Sequence, residues 1–156
     1  MISEDVIKDA RILIVDDEPA VVDVLVRFLR RAGYENVVSA TRPDAALHLY
    51  TETCPDLVIL DLQMPGHDGF WLLERLHGEV SEESFLPIIV LTGDASVERR
   101  RKALAGGARE ILAKPVDYVE LMLRIWNLLE TRFRFLRLEE EKHALEARLQ
   151  GVVTGA

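Results

Sequence analysis

Leu57-Val58-Ile59-Leu60-Asp61-Leu62-Gln63-Met64-Pro65-Gly66 is the stretch on which the fold turns. Four consecutive apolar residues bounded by turn residues describe a strand buried on both faces, as in a parallel sheet. A carboxylate at the carboxyl end of such a strand faces the crevice where open α/β sheets bind ligands. The flanking sequence repeats the pattern. Arg11 to Val15 runs into Asp16-Asp17, Ile88 to Leu91 into Thr92, and Ile111 to Ala113 into Lys114-Pro115. Three acids, a hydroxyl and an ammonium are thus delivered from separate strand ends to one place, a set suited to Mg²⁺ and a phosphoryl group.

Between these strands the periodicity turns helical. Val21, Val22, Leu25, Phe28 and Leu29 fall on one face of a helix opened by Pro19 and closed by Gly33. Val37-Val38 marks a short second strand, and helices follow at Pro43–Thr53, Gly69–Gly78 and Val97–Ala105, with another beginning after Pro115. Strand and helix alternate strictly, which predicts a doubly wound parallel sheet with helices on both faces. Residues 1–9 read as a tail, 10–130 as the domain, 131–150 as a helical extension and 151–156 as a disordered end.

Bulk properties narrow the function. With 156 residues and 49% hydrophobic composition the chain can bury one core. A net charge of −8 argues against direct nucleic-acid binding. Cys54 is the only cysteine, so no internal disulfide framework exists, and the acidic start Met1-Ile2-Ser3-Glu4-Asp5 is unlike a signal peptide. No apolar run is long enough for a bilayer, so a cytoplasmic location is expected.

The chemistry assigns each residue a task. Mg²⁺ (or Mn²⁺) takes oxygen ligands, with Asp17, Asp61 and the Gln63 backbone carbonyl expected to bind directly and Asp16 through water. Asp61 is the nucleophile that forms an acyl phosphate. Lys114 neutralises the transferring oxygens, and the Thr92 hydroxyl follows the new phosphate. Taken singly, Asp16-Asp17 suits a helix cap, and Thr92 or Lys114-Pro115 would be ordinary strand-end residues. Their joint occurrence at one sheet edge favours a site.

The chain resembles the receiver domains of bacterial two-component response regulators. Val15-Asp16-Asp17-Glu18 carries the resemblance, with Leu60-Asp61-Leu62-Gln63-Met64-Pro65-Gly66, Asp68-Gly69, Leu91-Thr92-Gly93, Gly107-Ala108 and Lys114-Pro115. It implies a flavodoxin-like five-stranded sheet in the order 2-1-3-4-5, with an extended fifth helix. It also implies a cis bond before Pro115, and phosphorylation of Asp61 by a histidine kinase or phosphotransfer protein. Gln63 and Asp94 stand where the family places the side chains that tune hydrolysis. The family's swinging aromatic is replaced by Ile111, a stiff β-branched residue without a ring. The resemblance implies a switch protein rather than an independent enzyme. Two alternatives remain: an unphosphorylated pseudo-receiver scaffold, and a phosphohydrolase of the haloacid dehalogenase type. The second lacks the acid it needs two residues after the nucleophile, where Gln63 stands.

From Tyr118 to Gln150 there is neither Gly nor Pro. A helix of that length spans about 50 Å and must leave the domain. Leu121, Leu128, Phe135, Lys142 and Leu149 recur every seven residues, with Thr131, Leu138 and Leu145 in the complementary column. This is a coiled-coil pattern. It predicts a parallel homodimer with Leu128, Phe135, Leu138, Leu145 and Leu149 in the seam. A second column, Met122, Leu129 and Leu136, would instead fold the helix back onto its own domain. The segment from Asn127 to Arg132 looks like the linkers that join receivers to signalling enzymes, including cyclic-di-GMP synthases and phosphodiesterases.

Overall fold

The computed structural model describes residues 1–64, 68–79 and 84–154. In chain order they form α1 (Glu4–Lys8), β1 (Ile12–Val15), α2 (Pro19–Arg31), β2 (Val37–Ala40) and α3 (Pro43–Thr53). There follow β3 (Leu57–Asp61), α4 (Gly69–Glu79), β4 (Ile88–Thr92), α5 (Val97–Ala105), β5 (Glu110–Ala113) and α6 (Tyr118–Thr154). All strand pairs are parallel and the sheet order is β2-β1-β3-β4-β5. The order expected from the sequence is therefore the order observed.

Period-two alternation sends the strand residues to two cores. Ile12, Ile14, Leu57, Ile59, Ile89 and Leu91 join Leu25, Leu29, Leu121, Ile125 and Leu129 on one face. Leu13, Val15, Val58, Leu60, Ile88 and Val90 join Ala46, Leu72, Leu73 and Ala103 on the other. The three central strands are buried throughout, so their sequences are continuously apolar rather than alternating.

Both ends of the chain depart from the sequence expectation. Residues 4–8 are helical rather than tail, and Ile2 and Ile7 enter the first core. Lys8 fixes the helix. Its Nζ donates to the Ala32 carbonyl beyond α2 and lies 4.4 Å from the Tyr34 ring centroid. At the other end α6 continues through Gly151 to Thr154, because one glycine costs a long helix only about 1 kcal/mol.

The long helix has two environments. Leu121, Ile125 and Leu129 are fully buried, and Met122, Trp126, Leu128 and Phe133 pack partly against the same core. Arg132 then reaches under the sheet: Nε donates to Asp56 Oδ1 at 3.0 Å and Nη1 to the carbonyls of Ser84 and Phe85. Phe135 meets Phe85 with ring centroids 5.9 Å apart. Beyond this point the apolar residues Leu138, Leu145, Leu149 and Val152 are all exposed.

Candidate functional site

The carboxyl ends of β1, β3, β4 and β5 bring the expected residues together. Asp16 and Asp61 are almost completely buried, as is Thr92. Ligand oxygens of Asp16, Asp17 and Asp61 lie within 4.8 Å of one another. Lys114 Nζ stands 3.0 Å from Asp16 Oδ2 and 3.4 Å from Asp61 Oδ1, bridging the two acids. The peptide bond between Lys114 and Pro115 is cis.

Local backbone geometry holds these groups. Glu18 N–H donates to Asp16 Oδ1 at 2.9 Å, and Gln63 N–H to Asp61 Oδ1 at 3.0 Å. Gly69 brings α4 onto the end of β3, where a Cβ would come within 2.5 Å of the Asp61 carbonyl oxygen and Leu62 Cα. Only glycine fits that approach. The Thr92 hydroxyl donates to the Asp94 carbonyl at 3.0 Å and accepts from the Asp94 N–H at 3.1 Å. Gln63 Oε1 would be 3.2 Å from a Cβ on Gly93, so its amide lies across the same opening.

The electrostatics are incomplete. Burial pushes the Asp61 carboxyl up to about 6; the Gln63 N–H and Lys114 work in the other direction, while the charge of Asp16 adds to the rise. On Lys114 burial opposes the charge, yet hydrogen bonding and attraction from Asp16 and Asp61 prevail and raise its pKa. Asp17 Oδ1 is closed off from solvent without a hydrogen-bond partner among the described residues. A buried carboxylate oxygen facing two other acids is a costly arrangement unless a cation shares it. The donor set, three carboxylates with no nitrogen or sulfur, fits a hard divalent ion.

The other expected residues are more dispersed. Ile111 is partly buried and packs against the second core. Asp94 is exposed at the rim, 3.7 Å from Arg99 Nε. Leu128 and Phe135 are partly covered by the domain itself, whereas Leu138, Leu145 and Leu149 are open. Pro65, Gly66 and His67 lie outside the described residues. Arg99 and Arg132 were not singled out by sequence: Arg99 lies beyond the motif that marks its partner Asp94, and Arg132 and Asp56 share no periodic or motif signal.

The sheet order and the acidic cluster at its carboxyl edge are those of a receiver module of two-component signalling, and the comparisons agree. Residues 12–126 match the response regulator receiver domain family, and the chain belongs to it. The response regulator PleD of Caulobacter vibrioides is 35% identical over 147 residues, which is 94% of this chain and 32% of PleD. The transcriptional regulatory protein YvrH of Bacillus subtilis is 36% identical, covering 76% of this chain and 48% of YvrH. The chain thus spans about a third of PleD and about half of YvrH. A CheY-like receiver domain protein from Methanospirillum hungatei superimposes with TM-score 0.73 at 31% identity, covering 81% of this chain and 98% of that one. A putative response regulator from Chloroflexus aurantiacus gives 0.71 at 35% identity, covering 78% and 98%. Among the described residues no helix is long and apolar enough to cross a membrane.

Proposed function

We propose that this chain is the phosphoacceptor module of a two-component response regulator, working in the cytoplasm, and that Asp61 receives the phosphoryl group of a histidine kinase or phosphotransfer protein. One observation carries the reading: Asp16, Asp17 and Asp61 converge within 4.8 Å with Lys114 bridging two of them.

Asp17, Asp61 and the Gln63 carbonyl would hold Mg²⁺ or Mn²⁺ directly, with Asp16 acting through water. When bound, the ion supplies positive charge to the phosphoryl oxygens. Asp61 attacks phosphorus through a carboxylate oxygen, and the donor leaves from the opposite side. Lys114, already charged and shared between two acids, turns toward the added negative charge. Thr92 exchanges its bonds to Asp94 for a bond to the phosphoryl group, and Gln63 and Asp94 border the path of hydrolytic water. Ile111 cannot report this motion by a ring flip, so the change passes to α6 instead. An apolar groove of about 580 Å³, lined by Val21, Val24, Leu25, Phe28 and Val116, opens beside Lys114.

The output runs through α6. Leu138, Leu145 and Leu149 present an unpaired seam, and a second copy in parallel would cover it. Leu128 and Phe135 belong to the same seam, but pairing proper begins beyond Phe135, where the domain no longer covers the helix. The module does not act as an independent enzyme and does not contact nucleic acid directly.

The test is direct. Treated with acetyl phosphate and Mg²⁺, the wild type gains one phosphoryl mass, Asp61→Asn gains none, and Asp17→Ala is all but inactive despite retaining its nucleophile. Equal labelling of wild type and Asp61→Asn overturns the assignment. A wild type that never labels makes the chain a pseudo-receiver.

A further inference from the structure

Five residues beyond Asp94, on the exposed rim of the site, Arg99 joins the two walls that flank the phosphoacceptor. Its guanidinium carbon lies 5.2 Å from the centroid of Phe70, the second residue of α4 after the tightly packed Gly69. Its Nε stands 3.7 Å from Asp94 Oδ2, on the loop after β4. That separation is a Coulombic contact rather than a hydrogen bond. The Arg99 Nε is shut off from solvent and has no hydrogen-bond partner among the described residues. The other Asp94 oxygen accepts the Ser96 N–H at 3.1 Å. The carboxylate is therefore drawn toward α5 by two contacts, while its backbone holds the Thr92 hydroxyl.

We propose that Arg99 is a positioning residue for loss of the phosphoryl group: it holds the Asp94 carboxylate away from the phosphorylated Asp61. The inference rests on Asp61 being the phosphoacceptor. In the hydrolysis, water oxygen adds to phosphorus and the bond from phosphorus to the Asp61 oxygen breaks. Asp61 departs as carboxylate with that electron pair, and the proton of the water ends on the released phosphate or in solvent. A carboxylate free to turn inward accelerates this step by accepting a hydrogen bond from the attacking water. Arg99 suppresses this by keeping Asp94 paired, and Phe70 keeps Arg99 in place.

Asp94 is about half exposed and Arg99 about a third, so the pair is partly screened and its effect is modest. Decay of the acyl phosphate is followed by intact mass after removal of acetyl phosphate. Arg99→Ala is expected to decay about threefold faster than wild type, the size of an exposed ion pair. Arg99→Lys restores most of the lifetime, and in an Asp94→Ala background Arg99→Ala changes nothing further. Raising the salt narrows the gap between wild type and Arg99→Ala, because an exposed pair is screened. Equal decay of wild type and Arg99→Ala overturns the proposal, as does an Arg99→Ala effect that persists without Asp94. Failure of the wild type to label on Asp61 is a different result and overturns the receiver assignment itself.

Discussion

The two poles of the sheet carry similar charges with opposite completeness. At the carboxyl ends of the strands, three acids face one lysine that touches two of them, and Asp17 Oδ1 has no hydrogen-bond partner among the described residues. At the amino ends, Asp56 accepts from the Arg11 N–H and from Arg132 Nε, and Arg132 is satisfied by two carbonyls besides. One pole leaves charge for a ligand to balance; the other balances its own. A buried ionic group that is complete fixes structure, and one that is incomplete costs stability until something binds. The difference marks which end of the molecule reacts and which end holds α6.

Breaking the complete pole is expected to produce the largest change in stability. Arg132→Ala removes a charge-assisted bond to Asp56 and leaves two part-buried carbonyls without their donor, and should cost about 2–3 kcal/mol in urea unfolding. Labelling of Asp61 should survive in the same variant at temperatures where it is folded. If Arg132→Ala unfolds at the same urea concentration as wild type, the clasp is ornamental.

The reacting pole should respond with the opposite sign. Because burial raises the Asp61 carboxyl to about 6, the folded protein binds more protons than the unfolded chain above the usual carboxylate range. Its contribution to stability is full at low pH and is lost as pH rises through about 6. Metal-free Asp61→Asn should thus be more stable than wild type at neutral pH, by about 1–3 kcal/mol for a shift of this size. The gain should vanish near pH 4, and Mg²⁺ should stabilise wild type more than the variant. An Asp61→Asn protein less stable than wild type at pH 7 would contradict the charge imbalance.

The smallest stability effect belongs to the free part of α6. Leu138→Lys with Leu145→Lys exposes no core, so the stability of a single copy should change by less than about 0.5 kcal/mol. Sedimentation should nevertheless register it: wild type at tens of micromolar runs as a dimer and the double variant as a monomer. Identical sedimentation of the two as monomers removes the pairing proposal.

How much of this was legible follows from the range of each interaction. The strands around Leu57–Asp61 and Ile88–Thr92 declare themselves, because burial on both faces makes them continuously apolar. Helices with proline at the start, such as Pro43–Thr53, were bounded correctly by local chemistry alone. Asp16, Asp17, Asp61, Thr92 and Lys114 were legible because each occupies a strand end, and topology does the rest. Arg132 and Asp56 are 76 positions apart, and nothing near either residue announces the other. The first helix was missed for a different reason: Ile2 and Ile7 are too few to establish a period, and five residues would not hold a helix without the α6 surface beneath them. The seven-residue repeat along α6 was real but spoke for two surfaces at once. Its early members are covered by the domain, Leu121 fully and Leu128 and Phe135 in part, and only the later ones are left open.

The clasp at Arg132 also makes the helix beyond it a lever. From there to Val152 the rod extends about 30 Å, so a tilt of about 10° at the base carries its tip sideways through about 5 Å, roughly half the distance between the axes of two packed helices. Displacements too small to disturb the packing around Phe85 and Phe135 become, at the far end, the difference between two helices in contact and two apart.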